Sequence, residues 1–242
     1  MTVTLVTGAT RGVGREVARR LVEAGHTVWL GARDEARGAE AAGAIGATAV
    51  VIDVTDQASI AAALERIRAE AGGLDVLVNN AGIAGEQRPP AESTDADLRT
   101  VFETNVFGAA AVVAAATPLL DASEAPVLVN VSSGVGSLAN NARPDSRWRL
   151  LAYPMSKAAL NMMTLQLAHA HSRWRVNSAT PGLTATDFTK DTASGLTAQD
   201  VAERLPHANT VEQGAEPIVR LALVGPDGPT GTFLGPDGPV DW

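Results

Sequence analysis

Val3-Thr4-Leu5-Val6-Thr7-Gly8-Ala9-Thr10-Arg11-Gly12-Val13-Gly14 is the stretch on which the fold turns. A short β-branched run passes into three glycines and then into a helical pattern, Gly14–Ala24. Glycines at 8, 12 and 14 allow a tight turn and a close approach of backbone to an anion, while the helix start offers free N–H groups and a positive dipole end. Gly8, Thr10, Arg11, Gly12, Val13 and Gly14 are therefore candidates for a loop that cradles a diphosphate, because the strand-before, helix-after context is the one such loops require.

Outward from this loop the same alternation continues. Strand-like runs occur at Thr27–Gly31, Thr48–Ile52, Val76–Val78, Val127–Val131, Val176–Ala179 and Thr230–Leu234. They lack strict polar alternation, as expected of strands covered on both faces. Helical patterns lie between them at Glu35–Gly43, Gln57–Glu70, Asp95–Ala116, Ala152–His171 and Val211–Leu223. The alternation predicts a single α/β domain over 1–242, doubly wound, with a mostly parallel seven-stranded sheet and helices on both faces. Gly225–Pro229 and Gly235–Pro239 both read GPDGP and are read as turns. Leu183–Asn209 is the longest weakly patterned stretch, and a loop of that length in such a domain is read as a substrate lid.

Composition excludes several classes. The net charge of −8 argues against wholesale binding of a nucleic-acid backbone. No cysteine is present, so disulfides, thiolate metal sites and a cysteine nucleophile are ruled out. The histidines, His26, His169, His171 and His207, show no ligand grouping, and no metal site is expected. The first residues lack the basic start and long apolar core of a signal peptide, and no stretch is expected to span a membrane. A cytoplasmic protein without membrane or nucleic-acid partners is the resulting expectation.

The strand ends carry the candidate binding groups. The second strand ends Gly31-Ala32-Arg33-Asp34, with Arg37 one helical turn on. An acidic residue at that tip suits ribose hydroxyls, whereas arginines suit a 2′-phosphate. Arg33, Arg37 and Arg11 favour the phosphate, hence NADP(H); Asp34 as a ribose ligand keeps NAD open. Asp53-Val54 follows the third strand, where a carboxylate can accept from an adenine amino group. Asn79-Asn80-Ala81-Gly82 follows the fourth, its asparagines suited to tying loops together and its small residues leaving room for a ligand.

The single tyrosine, Tyr153, lies four residues before Lys157, one of two lysines. On a helix these share a face. A nearby ammonium stabilises a phenolate, so the expectation is a phenol of lowered pKa that exchanges protons with a reacting oxygen. Upstream, Val127–Val131 ends in Ser132-Ser133-Gly134, at the edge where ligands bind in such sheets.

Taken in order, these elements resemble the short-chain dehydrogenase/reductase family, in its carbonyl-reductase-like branch. The carriers are the T-G-x-x-x-G-x-G loop Thr7–Gly14, Asp53-Val54, the N-N-A-G run Asn79–Gly82, Ser133-Gly134-Val135-Gly136 as S-x-x-G, the pair Tyr153 and Lys157, and Pro181–Thr186 as P-G-x-x-x-T. Gly73–Ile83 and the tail Gly238–Trp242 carry the closer match. The resemblance implies NADPH-dependent reduction of a ketone or aldehyde. It selects Ser133 over Ser132 as the catalytic serine and Tyr153 as general acid. It makes Asn105 the holder of a water that links to Lys157, and it assigns Pro181, Gly182, Thr184 and Thr186 to the nicotinamide. Tyr153 and Lys157 would also contact the nicotinamide ribose. Two other readings stay open: an NADP(H)-sensing regulator without turnover, and an NAD-linked alcohol dehydrogenase. Asn140–Leu151 lengthens the usual Ser–Tyr spacing. The family habit of a homodimer or homotetramer is therefore set against a monomer.

Overall fold

The computed structural model describes residues 1–86, 88–146, 149–184 and 208–242. The expected alternation is present: β1 (Val3–Val6), α1 (Gly12–Glu23), β2 (Thr27–Ala32), α2 (Glu35–Gly43), β3 (Thr48–Val51), α3 (Gln57–Ala71) and β4 (Val76–Asn79) build the first half. Then come α4 (Asp95–Phe102), a π-helical turn (Glu103–Gly108), α5 (Ala109–Ala122), β5 (Val127–Val131), α6 (Leu138–Ala142), α7 (Ala152–Ala170), β6 (Arg175–Ala179), α8 (Val211–Ala222), β7 (Phe233–Gly235) and β8 (Gly238–Pro239).

The sheet runs β3-β2-β1-β4-β5-β6-β7-β8. It has eight strands, one more than expected. The extra strand comes from the second GPDGP: Pro236-Asp237 is the turn, and Gly235 pairs antiparallel with Gly238, and Leu234 with Pro239. Proline at an edge position costs no ladder bond, which is why a sequence read only as a turn also closes the sheet. The first GPDGP is a turn alone, with the Gly228 amide donating to the Gly225 carbonyl at 2.9 Å.

Strand side chains alternate between two cores. Val6, Val28, Leu30, Val78 and Val129 face α1 and α8, meeting Val17, Leu21, Ile218 and Leu221. Leu5, Trp29, Leu77, Leu128 and Val176 face the other way, toward Ile60, Leu64, Ile67, Val112 and Leu120 of α3 and α5. Burial on both faces is what the unbroken apolar runs required.

The expectation that no stretch could span a membrane is corrected at one place. Among the described residues, the continuous helix Asp95–Ala122 is long and apolar enough to do so by length and composition. Here Val112, Val113, Ala116 and Leu120 of that helix belong to the α3/α5 core.

The chain order reverses between β1 and β4, its neighbour in the sheet. This is the switch point where crevices open at the carboxyl ends of strands. Thr7, just past β1, pins it: its hydroxyl accepts from the Asn80 and Ala81 amides, each at 3.0 Å, and Asn80 Nδ2 donates back to the Thr7 and Gly8 carbonyls at 2.9 and 3.0 Å.

Candidate active site

A cavity of about 790 Å³ runs along this edge. Its one end is the glycine loop, with Gly8, Thr10, Arg11, Gly12, Val13 and Gly14 in the wall. Gly8 takes φ +63°, and a Cβ there would stand 2.8 Å from Ala81 Cα, so the loop and the N-N-A-G segment close only without side chains. Arg11 precedes α1 in extended conformation with no side-chain cap, and the first turn holds no acidic residue. The residues of that turn line the cavity, and helix-start amides without a side-chain cap are a donor set fitted to a diphosphate.

Arg33 joins Arg11 in the wall, but Arg37 is not among the cavity's lining residues. Asp34 is committed elsewhere: its carboxylate caps α2 by accepting from the Arg37 amide at 2.8 Å. Asp53 and Val54 line the same end. One Asp53 oxygen accepts from the Thr55 amide and hydroxyl at 2.9 and 2.7 Å, and these bonds, with the Arg33 charge nearby, hold the carboxyl below its usual range.

At the other end stand Ser133, Tyr153 and Lys157. Tyr153 is in the first turn of α7, with its phenol beside the Ser133 side chain. Ser132 faces inward, 2% exposed, and its hydroxyl donates to the Lys157 carbonyl at 3.4 Å. Lys157 Nζ donates to the Val131 carbonyl at 2.9 Å and lies 5.7 Å from the centre of the Tyr153 ring.

The expected acid shift of the phenol is corrected here. Desolvation pushes Tyr153 up to about 12, offset in part by the nearby Ser133 hydroxyl. It also pulls Lys157 down to about 8. Tyr153 is half-buried and lines the cavity; Lys157 is 4% exposed. The ammonium is tied to a backbone carbonyl rather than to the phenol oxygen, so burial outweighs charge attraction at Tyr153. At neutral pH the phenol keeps its proton, the form an acid catalyst needs.

Asn105 is buried at 1% and does not line the cavity. It sits in the π-helical turn, not in regular α-helix. Its Oδ1 accepts from the Ile83 amide at 2.8 Å, and its Nδ2 donates to the Ile83 carbonyl at 2.9 Å and to Ser156 at 3.0 Å. Ser156 in turn donates to the Tyr153 carbonyl at 2.7 Å. Asn105 thus ties the loop after β4 to the helix of Tyr153.

Pro181, Gly182 and Thr184 line the cavity beyond β6. Thr186 lies outside the described residues, as do 185–207 of the stretch read as a lid. The ends of that stretch meet: the Asn209 amide donates to the Leu183 carbonyl at 2.7 Å, and Asn209 Nδ2 to the Pro181 carbonyl at 3.1 Å.

Several wall residues had no motif to announce them. Arg143, Asp145, Ser146 and Leu150 come from the Asn140–Leu151 insertion. Thr180 ties two loops together, its hydroxyl accepting from the Gly134 and Gly182 amides at 3.2 and 3.0 Å. A threonine just past the strand end, before Pro-Gly, was the available signal.

The comparisons agree with this architecture. A family model described as short chain dehydrogenase matches residues 2–197. A short-chain dehydrogenase/reductase of Stachybotrys chlorohalonatus is 35% identical over 96% of this chain and 87% of its own length. A (+)-neomenthol dehydrogenase of Arabidopsis thaliana is 31% identical over 95% of this chain and 94% of its own. Among solved structures, a gluconate 5-dehydrogenase of Burkholderia cenocepacia in complex with NADP and tartrate superposes with a TM-score of 0.81 at 26% identity, covering 99% of this chain and 93% of that one.

Proposed function

The chain belongs to the short-chain dehydrogenase family, and from that membership we propose that it is an NADPH-dependent carbonyl reductase in which Tyr153 protonates the reacting oxygen. The observation that carries this reading is the pair of Tyr153 and Ser133 side chains, set side by side at one end of a cavity whose other end is a glycine-rich loop at a helix start.

The residues present fit the dinucleotide. The amides of Gly12, Val13 and Gly14 would hold the diphosphate; Arg11 and Arg33 the 2′-phosphate; Asp53 and Val54 the adenine side; Asn80, Ala81, Gly82, Pro181, Gly182 and Thr184 the nicotinamide side, with Tyr153 and Lys157 at its ribose. When bound, NADPH supplies the hydride. The rest falls to the chain. Ser133 and Tyr153 hold the carbonyl oxygen. As negative charge develops there, the Tyr153 hydroxyl gives up its proton to it. A phenol kept neutral by burial is loaded for that step. Lys157 and Asn105 support Tyr153, Asn105 by tying the loop after β4 through Ile83 to the Tyr153 helix through Ser156.

NADP(H) is preferred over NAD because Arg33 lines the cavity while Asp34 is spent capping α2. NADP in the Burkholderia complex is consistent with this. The Arabidopsis relative is named for oxidising an alcohol, the reverse of carbonyl reduction.

Tyr153→Phe tests the reading. NADPH oxidation with a panel of ketones, aldehydes, quinones and cyclic imines should fall by roughly 10²–10⁴-fold, the usual weight of general acid catalysis, with NADPH binding retained. Near-normal turnover would remove the mechanism, and an unaltered chain that binds NADPH but reduces nothing would favour the sensor. With Arg33→Ala, kcat/KM should drop selectively with NADPH, by about tenfold or more for a lost charge-assisted phosphate contact; an equal drop with NADH would return the choice to NAD.

A further inference from the structure

The wall that follows Ser133 is gripped from two sides. On the inner side, Asn161 Nδ2 of α7 donates to the Gly136 carbonyl at 3.3 Å. On the outer side stands the segment leaving β8. The Val240 amide donates to the Phe233 carbonyl at 2.8 Å, and the Trp242 carbonyl accepts from the Ala139 amide at 2.9 Å. The Trp242 ring is stacked on Phe233, with centroids 5.3 Å apart and planes 25° from parallel. Phe233 is 2% exposed in β7, so the stack anchors Trp242 to the sheet itself.

Ala139 lies in the first turn of α6, where helix amides have no partner within the helix. Ser137 caps one of them by accepting from the Asn140 amide at 3.0 Å; Trp242 takes another. The grip passes inward through α6. Asn141 Nδ2 donates to the Val135 and Ser137 carbonyls, both at 2.7 Å, and Asn140 lines the cavity beside Gly134 and Val135. A helix of five residues is too short to hold its own shape. Its outer residues Leu138 and Ala139 are exposed, so little core packing steadies that side.

We infer that Trp242 is a positioning residue for substrate: stacked on Phe233, it fixes α6 and hence the wall that follows Ser133. The inference rests on the reductase reading for calling that wall a substrate wall. Trp242 touches no reacting atom and acts through Ala139 and α6.

The test combines hydrogen exchange on the full chain with steady-state kinetics, in Trp242→Ala and Trp242→Phe, using cyclohexanone or the best substrate of the panel above. In the alanine variant, peptides within 134–142 should exchange about tenfold faster, because local openings there lose an aromatic anchor. Strands β1 to β5 should be unchanged. KM for the carbonyl substrate should rise several-fold, with kcat and KM for NADPH near the original, and phenylalanine should restore both readouts. Unchanged exchange over 134–142 overturns the inference. So does acceleration spread evenly across the sheet, which would make the ring ordinary core packing, and so does an equal rise in KM for substrate and NADPH. If the unaltered chain bound NADPH but reduced nothing in the panel, the reductase reading would fall, while the exchange result would still decide the clamp.

Discussion

Gly136 and Lys157 are packed backbone to backbone: a Cβ at 136 would stand 2.7 Å from both the carbonyl carbon and the Cβ of Lys157. The loop after Ser133 can lie this close to the catalytic helix only where it has no side chain. Gly136→Ala must therefore push the loop or α7 aside, at a cost of about 1–3 kcal/mol for overpacking. Turnover should fall beyond what the lost stability explains, because Ser133 and Lys157 separate. Gly43→Ala, at a helical glycine with nothing within 4 Å, is the control and should keep full activity. Thermal melts and kcat/KM on the pair check this; a Gly136→Ala enzyme with unchanged kcat/KM would refute it.

Lys157 is expected to cost stability where it serves function. Burial lowers its pKa from 10.5 to about 8. The folded value lies below the unfolded one, so the penalty is full below pH 8 and is relieved as pH rises toward 10.5. That penalty is on the order of 3 kcal/mol. Removing the amine leaves the Val131 carbonyl without its donor, at about 1–3 kcal/mol. Lys157→Met should thus melt no lower than the original at pH 7, while turnover is lost. The original should gain on the variant between pH 8 and 10.5. A variant several degrees less stable at pH 7 would contradict the argument.

Ser133 and Ser132 should separate cleanly. The Ser133 hydroxyl meets the Tyr153 phenol in the cavity, whereas Ser132 is buried and bonds the Lys157 carbonyl. Ser133→Ala should lower kcat by about 10²-fold, as loss of one preorganised donor to a developing oxyanion does. Ser132→Ala should act mainly on Tm, by about 1 kcal/mol for one hydrogen bond. The reverse ranking in kcat would exchange their roles.

His26 predicts the acid limb of stability. Burial lowers its pKa below 6.5, the Asp75 charge opposing this, and its Nδ1 shares a hydrogen bond of 2.8 Å with Thr4. Because the folded value is the lower one, its contribution is complete above pH 6.5 and is lost as pH falls from 6.5 through the lower folded value. Asp53, also depressed, titrates only below 3.8 and leaves this window clear. Tm should decline from pH 7 to 5, and His26→Gln should flatten the decline. An equal slope in that variant would assign the loss to other groups.

Much of the site was legible because it is written in short-range pattern. The glycine loop, the Tyr153–Lys157 spacing and the strand-end runs all found their places at the cavity. Asp34 shows the limit. An extended residue before a helix suits a ribose ligand and an N-cap equally, and only the 2.8 Å approach of the Arg37 amide decides for the cap. The π-helical turn around Asn105 had no periodic signature, since one wide turn shifts a helix face without breaking the apolar pattern. Arg143, Asp145, Ser146 and Leu150 reach the cavity from an insertion that carries no motif.

The sequence by itself determined the layer order, the parallel sheet, the cradle at the first helix and the pairing of a phenol with an amine one turn away. These follow from periodicity and from contacts between near neighbours in the chain. Tertiary structure alone decided that an identical GPDGP becomes a bare turn at 225–229 and a sheet-closing hairpin at 235–239, because only in the second does the chain fold back to pair with the strand that enters it. It alone decided that the Tyr153 phenol is made a weaker acid rather than a stronger one. Desolvation sums over atoms from segments far apart in the chain, and no local spacing records that sum.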